Sequence, residues 1–441
     1  MASRFLENFG KFSDAERLLQ RALDWQTQST DPQDPLILDM KGRKGELLGC
    51  QSRFREAEIM FREVEEAHAA RQTGDTPNRI RNLINIAEVL SDQVKYEESE
   101  KRYREVIARA KDSPELRFNY LLSRNNLAFV LRRRNKFEEA ERIYRDLIAI
   151  REAEAGFEHP DTLMNYSNLA IVLSDMGKLK ESVEINQRCY STGLRTHGAY
   201  HPWTLLSGSN LGIQLYDVGR AEEAEGLLRK VLSQAERVFG RDHPRVMHTL
   251  DSLALVLLQQ GRIHEALEAA ERAVLNRGII LDHAHPTLLR SQSTLARILQ
   301  AHGRLHEAER ILRTVLTELE RIFGKGSIFP LEVRYDYGCV LRDLYNGEEA
   351  KEFFQSLWMT SEEALGKNHP RTLLASVEYA ISLEPQVRGQ EARNVLLNAT
   401  HGLHNSLDPG HPIFDRIAVA DLALQSGIGG RDAETPNISE L

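Results

Sequence analysis

Four histidines precede proline at a constant interval in this 441-residue chain: His159-Pro160, His201-Pro202, His243-Pro244 and His285-Pro286, each 42 residues after the last. Phe329-Pro330 stands in the next place, and His369-Pro370 and His411-Pro412 follow. Evenly spaced imidazoles invite a metal reading, but the spacing argues against it. One histidine per stacked unit puts neighbours about 10 Å apart, whereas zinc needs every ligand atom about 2 Å from one point. His264-Glu265 and His306-Glu307 open an HExxH motif but lack the second histidine one turn on. The Gly-Lys-Gly-Ser run at 324–327 and the Gly-Lys-Phe-Ser run at 10–13 lack the upstream glycine spacing of a phosphate loop. Neither GxSxG nor GxGxxG occurs. Cys50, Cys189 and Cys339 are isolated and form no CxxC pair. The carboxylate pairs Glu138-Glu139, Glu222-Glu223 and Glu348-Glu349 share one repeat position, where a solvated face in a helix's first turn explains them. No catalytic residue, metal ligand or cofactor site is expected.

Two patterns suit binding instead. One position reads Asn85, Asn126, Asn168, Asn210, then Ser252, Thr294, Asp336 and Glu378. An asparagine both donates and accepts, so such a ladder can pair with a peptide backbone whatever its side chains. It can equally bridge one repeat to the next. Arg132 opens the one marked basic cluster, Arg132-Arg133-Arg134, and Arg81, Arg290, Arg297 and Arg342 occupy comparable positions. Directed inward, these would favour an acidic peptide, each charge-assisted hydrogen bond contributing about 1.5–3 kcal/mol when desolvated. Arg133 and Arg134 read equally well as solvated surface.

Composition narrows the class. Charged residues make up 28% and the net charge is -8, with both signs interspersed, which gives no nucleic-acid footprint. Nothing approaches the 18 or so apolar residues of a membrane span. The N-terminus has no apolar signal core, and three scattered cysteines suit a reducing, cytoplasmic setting. The glycosylation triplets at Asn165, Asn398 and Asn437 therefore carry little weight.

All these residues are held by a repeat. Small residues recur at Ala15, Ala57, Ser99, Ala140, Ser182, Ala224, Ala266, Ala308, Ala350 and Ala392, at steps of 42 with a single step of 41. A fixed period in this range means stacked supersecondary units. Each period predicts two helices. Proline opens the first, as at Pro160, where a missing N–H costs nothing. Gly177-Lys178, Gly219-Arg220, Gly261-Arg262 and Gly303-Arg304 close it. A second amphipathic helix follows, such as 221–238, and strand signals are missing. Ala128, Ala170, Gly212, Ala254, Ala296, Gly338 and Ala380 mark where a partner helix approaches closely. Large residues four places after most of the second-helix small residues, including Phe61, Tyr103, Leu228, Leu312 and Phe354, fill the gap. Overpacking the small position should cost about 1–3 kcal/mol.

Residues 125–163, NNLAFVLRRRNKFEEAERIYRDLIAIREAEAGFEHPDTL, resemble the 42-residue tetratricopeptide repeat of kinesin light chains, and GRLHEAERILRTVLTELERIFG (303–324) is similar. The likeness covers roughly residues 10–425. It departs at 325–345, which lacks the His-Pro, and weakens after Pro385, which ends one first helix early. The resemblance implies an all-α, right-handed superhelical solenoid of stacked antiparallel helix pairs. Its expected divisions are a partial first repeat (1–24) acting as a cap, tandem repeats (25–407), a capping helix (408–427) and a disordered tail (428–441). It also implies a concave groove lined by first helices, with Arg81, Asn85, Asn126, Arg132, Asn168, Asn210, Arg290 and Arg297 facing a protein or peptide partner of acidic character. Neither nucleic acid nor membrane is expected as a partner. The expected role is an interaction scaffold or adaptor. Two alternatives stand beside it: the sensor portion of a switch protein, similar to fungal arrays that follow nucleotide-binding modules, and an enzyme or biosynthetic accessory with a pocket inside the superhelix.

Overall fold

A computed structural model describes residues 12–29, 31, 34–51, 53–71, 74–345, 348–383 and 385–426. The described residues form twenty α-helices and one short 3-10 turn, with no strand. Helix α1 (Phe12–Ser29) is followed by pairs of a first and a second helix: α2 (Pro35–Cys50) with α3 (Phe54–Ala70), α4 (Pro77–Asp92) with α5 (Tyr96–Ala110), and α6 (Arg117–Arg133) with α7 (Phe137–Ala155). The series continues with α8 (Pro160–Asp175) and α9 (Leu179–Thr196), α10 (Pro202–Asp217) and α11 (Ala221–Phe239), and α12 (Pro244–Gln259) and α13 (Ile263–Ile280). Then come α14 (Pro286–Ala301) and α15 (Leu305–Phe323), α16 (Ile328–Tyr345) and α17 (Glu348–Leu365), and α18 (Pro370–Ile381) and α19 (Pro385–Leu403). Helix α20 (Pro412–Ser426) is last. No described helix is long and apolar enough to cross a membrane.

The histidine of each His-Pro pair has a definite job. Nδ1 of His159, His201, His243, His285 and His369 accepts the backbone N–H two residues on, at 3.2–3.3 Å. His411 does the same toward Ile413 at 3.1 Å. Each imidazole thus replaces the usual Ser or Asp as N-cap, and the capping nitrogen must be unprotonated. At the other end of the first helices, Gly177, Gly219, Gly261 and Gly303 hold φ between 73° and 97°. Two earlier repeats put Val94 (φ 64°) and Asn135 (φ 58°) in that place. Asparagine tolerates the left-handed region, but β-branched valine is strained there.

Small-against-large packing joins the pairs. A Cβ at Gly212 would lie 2.5 Å from Leu228 Cδ2, and one at Gly338 would lie 2.7 Å from Phe354 Cε1. Ala128, Ala170, Ala254 and Ala296 are fully buried, as are Leu228, Leu312 and Phe354. Serines at the second-helix small position fit because they return their hydroxyl to the facing helix: Ser99 Oγ donates to Ala87 O (2.7 Å) and Ser182 Oγ to Ala170 O (2.6 Å). Successive first helices also pack on one another, whereas second helices make no comparable contact among themselves. First helices therefore form the layer through which alternate helices touch.

Two compact units result, Met1–Leu147 and Ile148–Leu441. The second winds far enough to meet itself. Asp408 N–H donates to Val218 O (3.0 Å), Lys180 Nζ to His404 O (3.1 Å), and His369 Nε2 lies 3.0 Å from Asp175 O. The α8–α9 turn sits against Pro370, close enough that a Cβ on Gly177 would come within 2.4 Å of its ring. The α10–α11 turn sits against His411, whose Cα is 2.8 Å from the same construction on Gly219.

Where the repeat pattern breaks, the helices adjust. Helix α16 starts at Ile328, so Pro330 lies inside its first turn, where the missing N–H has no helical partner to lose. Helix α18 has 12 residues against the 16 of α8, α10, α12 and α14, because Pro385 begins the next helix. The expected N-terminal stub before Phe12 and the expected tail at 428–441 lie outside the described residues.

Candidate functional site

On the first-helix face of unit 1, the asparagine ladder runs from repeat to repeat. Asn85 Nδ2 donates to Glu46 Oε1 (3.2 Å), and Asn126 Nδ2 donates to Glu88 Oε1 (2.9 Å). Burial raises the Glu88 carboxyl against the opposing pull of Arg81. Burial, then repulsion from Glu88, lifts Asp92 to about 6. Arg81 lies over the Phe118 ring, 5.7 Å from its centroid. Arg132 lends its charge to the surroundings of Tyr96 and Tyr144. Arg133 acts on Tyr96 as well while covering Phe129 at 5.1 Å, and Arg134 pairs with Glu100 at 2.5 Å on α5. Arg81, Asn85, Asn126 and Arg132 thus share a neighbourhood with three carboxylates.

In unit 2 the ladder continues in other chemistry. Asn210 donates to Ser167 Oγ at 3.3 Å, and its Oδ1 lies 3.4 Å from His248 Nε2. Asn168 is half-buried one repeat earlier. Ser293 donates to Asp336 at 3.1 Å and Tyr335 to Glu378 at 2.8 Å, so acidic residues take over the same rung. Glu378 is fully enclosed between Arg342 (2.5 Å) and Arg416 (2.7 Å). Burial alone would raise its pKa, but the two guanidinium charges outweigh that and hold it low.

The densest grouping surrounds Asp217 at the end of α10. Its carboxylate feels Arg371, Glu332, Arg290 and Arg297, contributed by α18, α16 and α14. Burial lifts Asp217 to about 6, and lifts Asp336 likewise. Arg297 bonds the Tyr216 hydroxyl (3.2 Å) and pairs with Asp336 (3.4 Å), while Arg371 pairs with Glu332. One level away, Arg277 grips Asp251 and Ser291. Burial, then the charges of Arg290 and Arg277, pushes His248 down to about 3, so it is neutral. Of the residues expected in the groove, the structure brings Arg290 and Arg297 together at Asp217, and places Asn210 beside His248.

Sequence reasoning missed Asp217, Asp251 and the histidine caps. For Asp217 a signal existed: Asp92, Asp175 and Asp217 each end a first helix two residues before the left-handed turn residue. The arrangement suits binding through charges and hydrogen bonds. Among the described residues, no three His, Cys, Asp or Glu side chains converge to hold a metal ion.

Family models for the tetratricopeptide repeat match residues 78–153, 119–192 and 203–274, and a second such model matches 288–328 and 337–371, together more than half of the sequence. The chain is a tetratricopeptide repeat protein. No curated protein matches its sequence. Among solved structures, the array is similar to a Podosopora anserina protein described as a kinesin light chain with nearly identical TPR-like repeats (25% identity, TM-score 0.36, covering 46% of this chain and 97% of that one). It is also similar to BtubC (BKLC) from P. vanneervenii (20% identity, TM-score 0.39, 56% and 91%). A Rap protein crystallised with Competence and Sporulation Factor aligns over 88% of this chain and 99% of its own, with 12% identity and a TM-score of 0.52. That last likeness is one of fold.

Proposed function

We propose that this tetratricopeptide array is a scaffold that binds a protein or peptide segment along the face formed by its first helices. The observation that carries the reading is the charge content of that face. In unit 2 it gathers Asp217, Arg290, Arg297, Glu332, Asp336 and Arg371 from four helices, in a fold that needs only apolar and small residues there to stack. Asp217, Arg297 and Asp336 are surrounded by protein on several sides and retained at a cost in desolvation, while Arg290 stands exposed at the edge of the group. The contacts proposed are Arg81, Asn85, Asn126 and Arg132 in unit 1, and Asn168, Asn210, Arg290 and Arg297 in unit 2. Both signs line each unit, so the partner carries both, with the arginines favouring its acidic groups. The Rap protein, which shares the fold, was crystallised with its factor bound, which supports the use of such an array for capture.

Selection of peptides from a displayed library on the full chain, followed by photo-crosslinking of the winners, tests this. Crosslinks should fall on first helices, near Asn126 or between Asn210 and Arg297. They should spare Leu275 and Met359, which are 67% and 66% exposed on second helices. Selected peptides that crosslink only to second helices, or a library that yields no binder, would refute it.

A further inference from the structure

Three repeats carry a cation four residues before the small residue of the first helix: Lys41 before Gly45, Arg124 before Ala128 and Arg334 before Gly338. A Cβ on Gly45 would lie 2.6 Å from Phe61 Cε1, which puts it in the same kind of joint as Gly338 against Phe354. In the first two repeats the following second helix supplies a carboxylate six residues after its own small residue. Lys41 Nζ donates to Glu63 Oε2 at 2.7 Å between α2 and α3, and Arg124 Nη2 donates to Asp146 Oδ2 at 2.9 Å between α6 and α7. Arg334 stands five periods of 42 beyond Arg124, and Ser356 stands five periods beyond Asp146. On α17 a hydroxyl thus occupies the place of the acid.

The exchange leaves Arg334 without the partner its counterparts have. It is only 9% exposed, and the polar contact of its side chain among the described residues is a hydrogen bond from Nη2 to Ser356 Oγ at 3.4 Å. The Phe353 ring flanks the guanidinium, 5.6 Å from its centroid. No carboxylate among the described residues comes within ion-pair distance; Glu320 on α15 acts on Arg334 from further off. Burial outweighs that pull and draws the guanidinium below its ordinary pKa. A buried charge without a counter-ion is held at a cost, so what this place lacks is an anion. Ser356 is itself exposed, and its hydroxyl is the group through which an anion could be attached.

A dissolved anion would be held by one guanidinium. One charge-assisted hydrogen bond is worth about ten- to a hundred-fold in binding, short of the roughly thousand-fold that capture at millimolar concentration needs. An anion joined covalently to Ser356 needs no such affinity, because it is already in place. We propose that Ser356 is a phosphorylation site and that Arg334 receives the phosphate. A protein kinase transfers the γ-phosphoryl group of ATP: the Ser356 O–H bond breaks, its proton passes to the kinase's base, an Oγ–P bond forms and ADP leaves. The phosphoserine, with up to about twice the charge of a carboxylate, then makes the bond that Asp146 makes to Arg124. It fastens α16 to α17 in the repeat whose His-Pro is replaced by Phe329-Pro330.

Tandem mass spectrometry of the full chain, isolated from its own cells with phosphatase inhibitors, should find phosphate on Ser356. A chain wholly unmodified there overturns the site. The receiving role is read separately, on the full chain with phosphoserine installed at position 356 by codon suppression. Phosphorus NMR should show the second ionisation of the phosphate, ordinarily near pH 6, lowered by about one unit, a ten-fold change. Arg334→Gln should return it to about 6, and Arg334→Lys, which keeps the charge, should retain most of the shift. The urea midpoint of unit 2 should rise with the phosphate in the wild type and not in Arg334→Gln. An ionisation near pH 6 in the wild type refutes the pairing, and that measurement decides the matter even if circular dichroism shows a variant to be misfolded. A lowered ionisation that persists unchanged in a folded Arg334→Gln chain refutes it as well.

Discussion

Acid should weaken unit 2 through the capping histidines His243, His369 and His411, which burial holds below their ordinary pKa, and His369 is the one whose share is most readily isolated. Its Nδ1 accepts the Arg371 N–H at 3.2 Å, so its Nε2 carries the proton and donates to Asp175 O at 3.0 Å, tying α18 to the α8–α9 turn. A second proton has no place: on Nδ1 it would confront the amide hydrogen it now accepts. The ring is only 8% exposed, and burial, with Arg371 nearby, lowers its pKa from 6.5 to about 4 despite the favourable Asp175 carbonyl. The unfolded chain therefore takes up a proton near pH 6.5 and the folded chain only near pH 4. Stability falls as the pH drops through that window and levels off below it. Linkage sets the loss at about 2 kcal/mol between pH 7.5 and pH 5, and about 3 kcal/mol by pH 3. His369→Asn keeps a good N-cap and cannot titrate. Urea unfolding followed by tryptophan fluorescence reads unit 2 through Trp203 and Trp358. Wild type should lose about 2 kcal/mol more than the variant between pH 7.5 and pH 5. Equal losses would refute the claim that His369 must stay neutral in the fold.

Other expectations concern stability. Val94→Gly should stabilise unit 1 by about 1 kcal/mol, since the left-handed turn no longer strains a β-branched residue; a lower denaturation midpoint would contradict it. Gly177→Ala and Gly303→Ala impose the same backbone strain, but only the former drives a Cβ into the Pro370 ring. Gly177→Ala should cost about 1–3 kcal/mol more in urea titrations, and equal costs would show that the turn does not bear on Pro370. Glu378→Gln leaves Arg342 and Arg416 facing each other without their carboxylate, and should lower stability by about 3–5 kcal/mol; a change under about 1 kcal/mol would show the triad to be dispensable.

The repeat, its helix pairs and the small-against-large joints were legible because each depends on residues close in sequence or one period apart. Gly212 against Leu228 is such a joint, and so are the first-helix starts at Pro160, Pro202, Pro244 and Pro286. The His-Pro turn was legible as a helix entry, but not as an Nδ1 cap, because imidazole is an uncommon cap and its rotamer is invisible in a string of letters. The contacts of Gly177 with Pro370 and Val218 with Asp408 were beyond reach. They join residues about 190 apart, and their existence depends on a small rotation per repeat summed over several repeats. Asp217 acquires its neighbours through that same winding, which is why the asparagine ladder stood out in the sequence and Asp217 did not.

A row of repeats ordinarily loosens from its free end, one unit at a time, since each is held only by the next. The hydrogen bonds from Asp408 and Lys180 change that for unit 2. Its final helices are anchored to a segment made much earlier in synthesis, so peeling them away also strips support from residues 175–220. Hydrogen exchange there should therefore slow and quicken together with the C-terminal helices, and a shortened chain ending before His404 should lose protection at a place far from the cut.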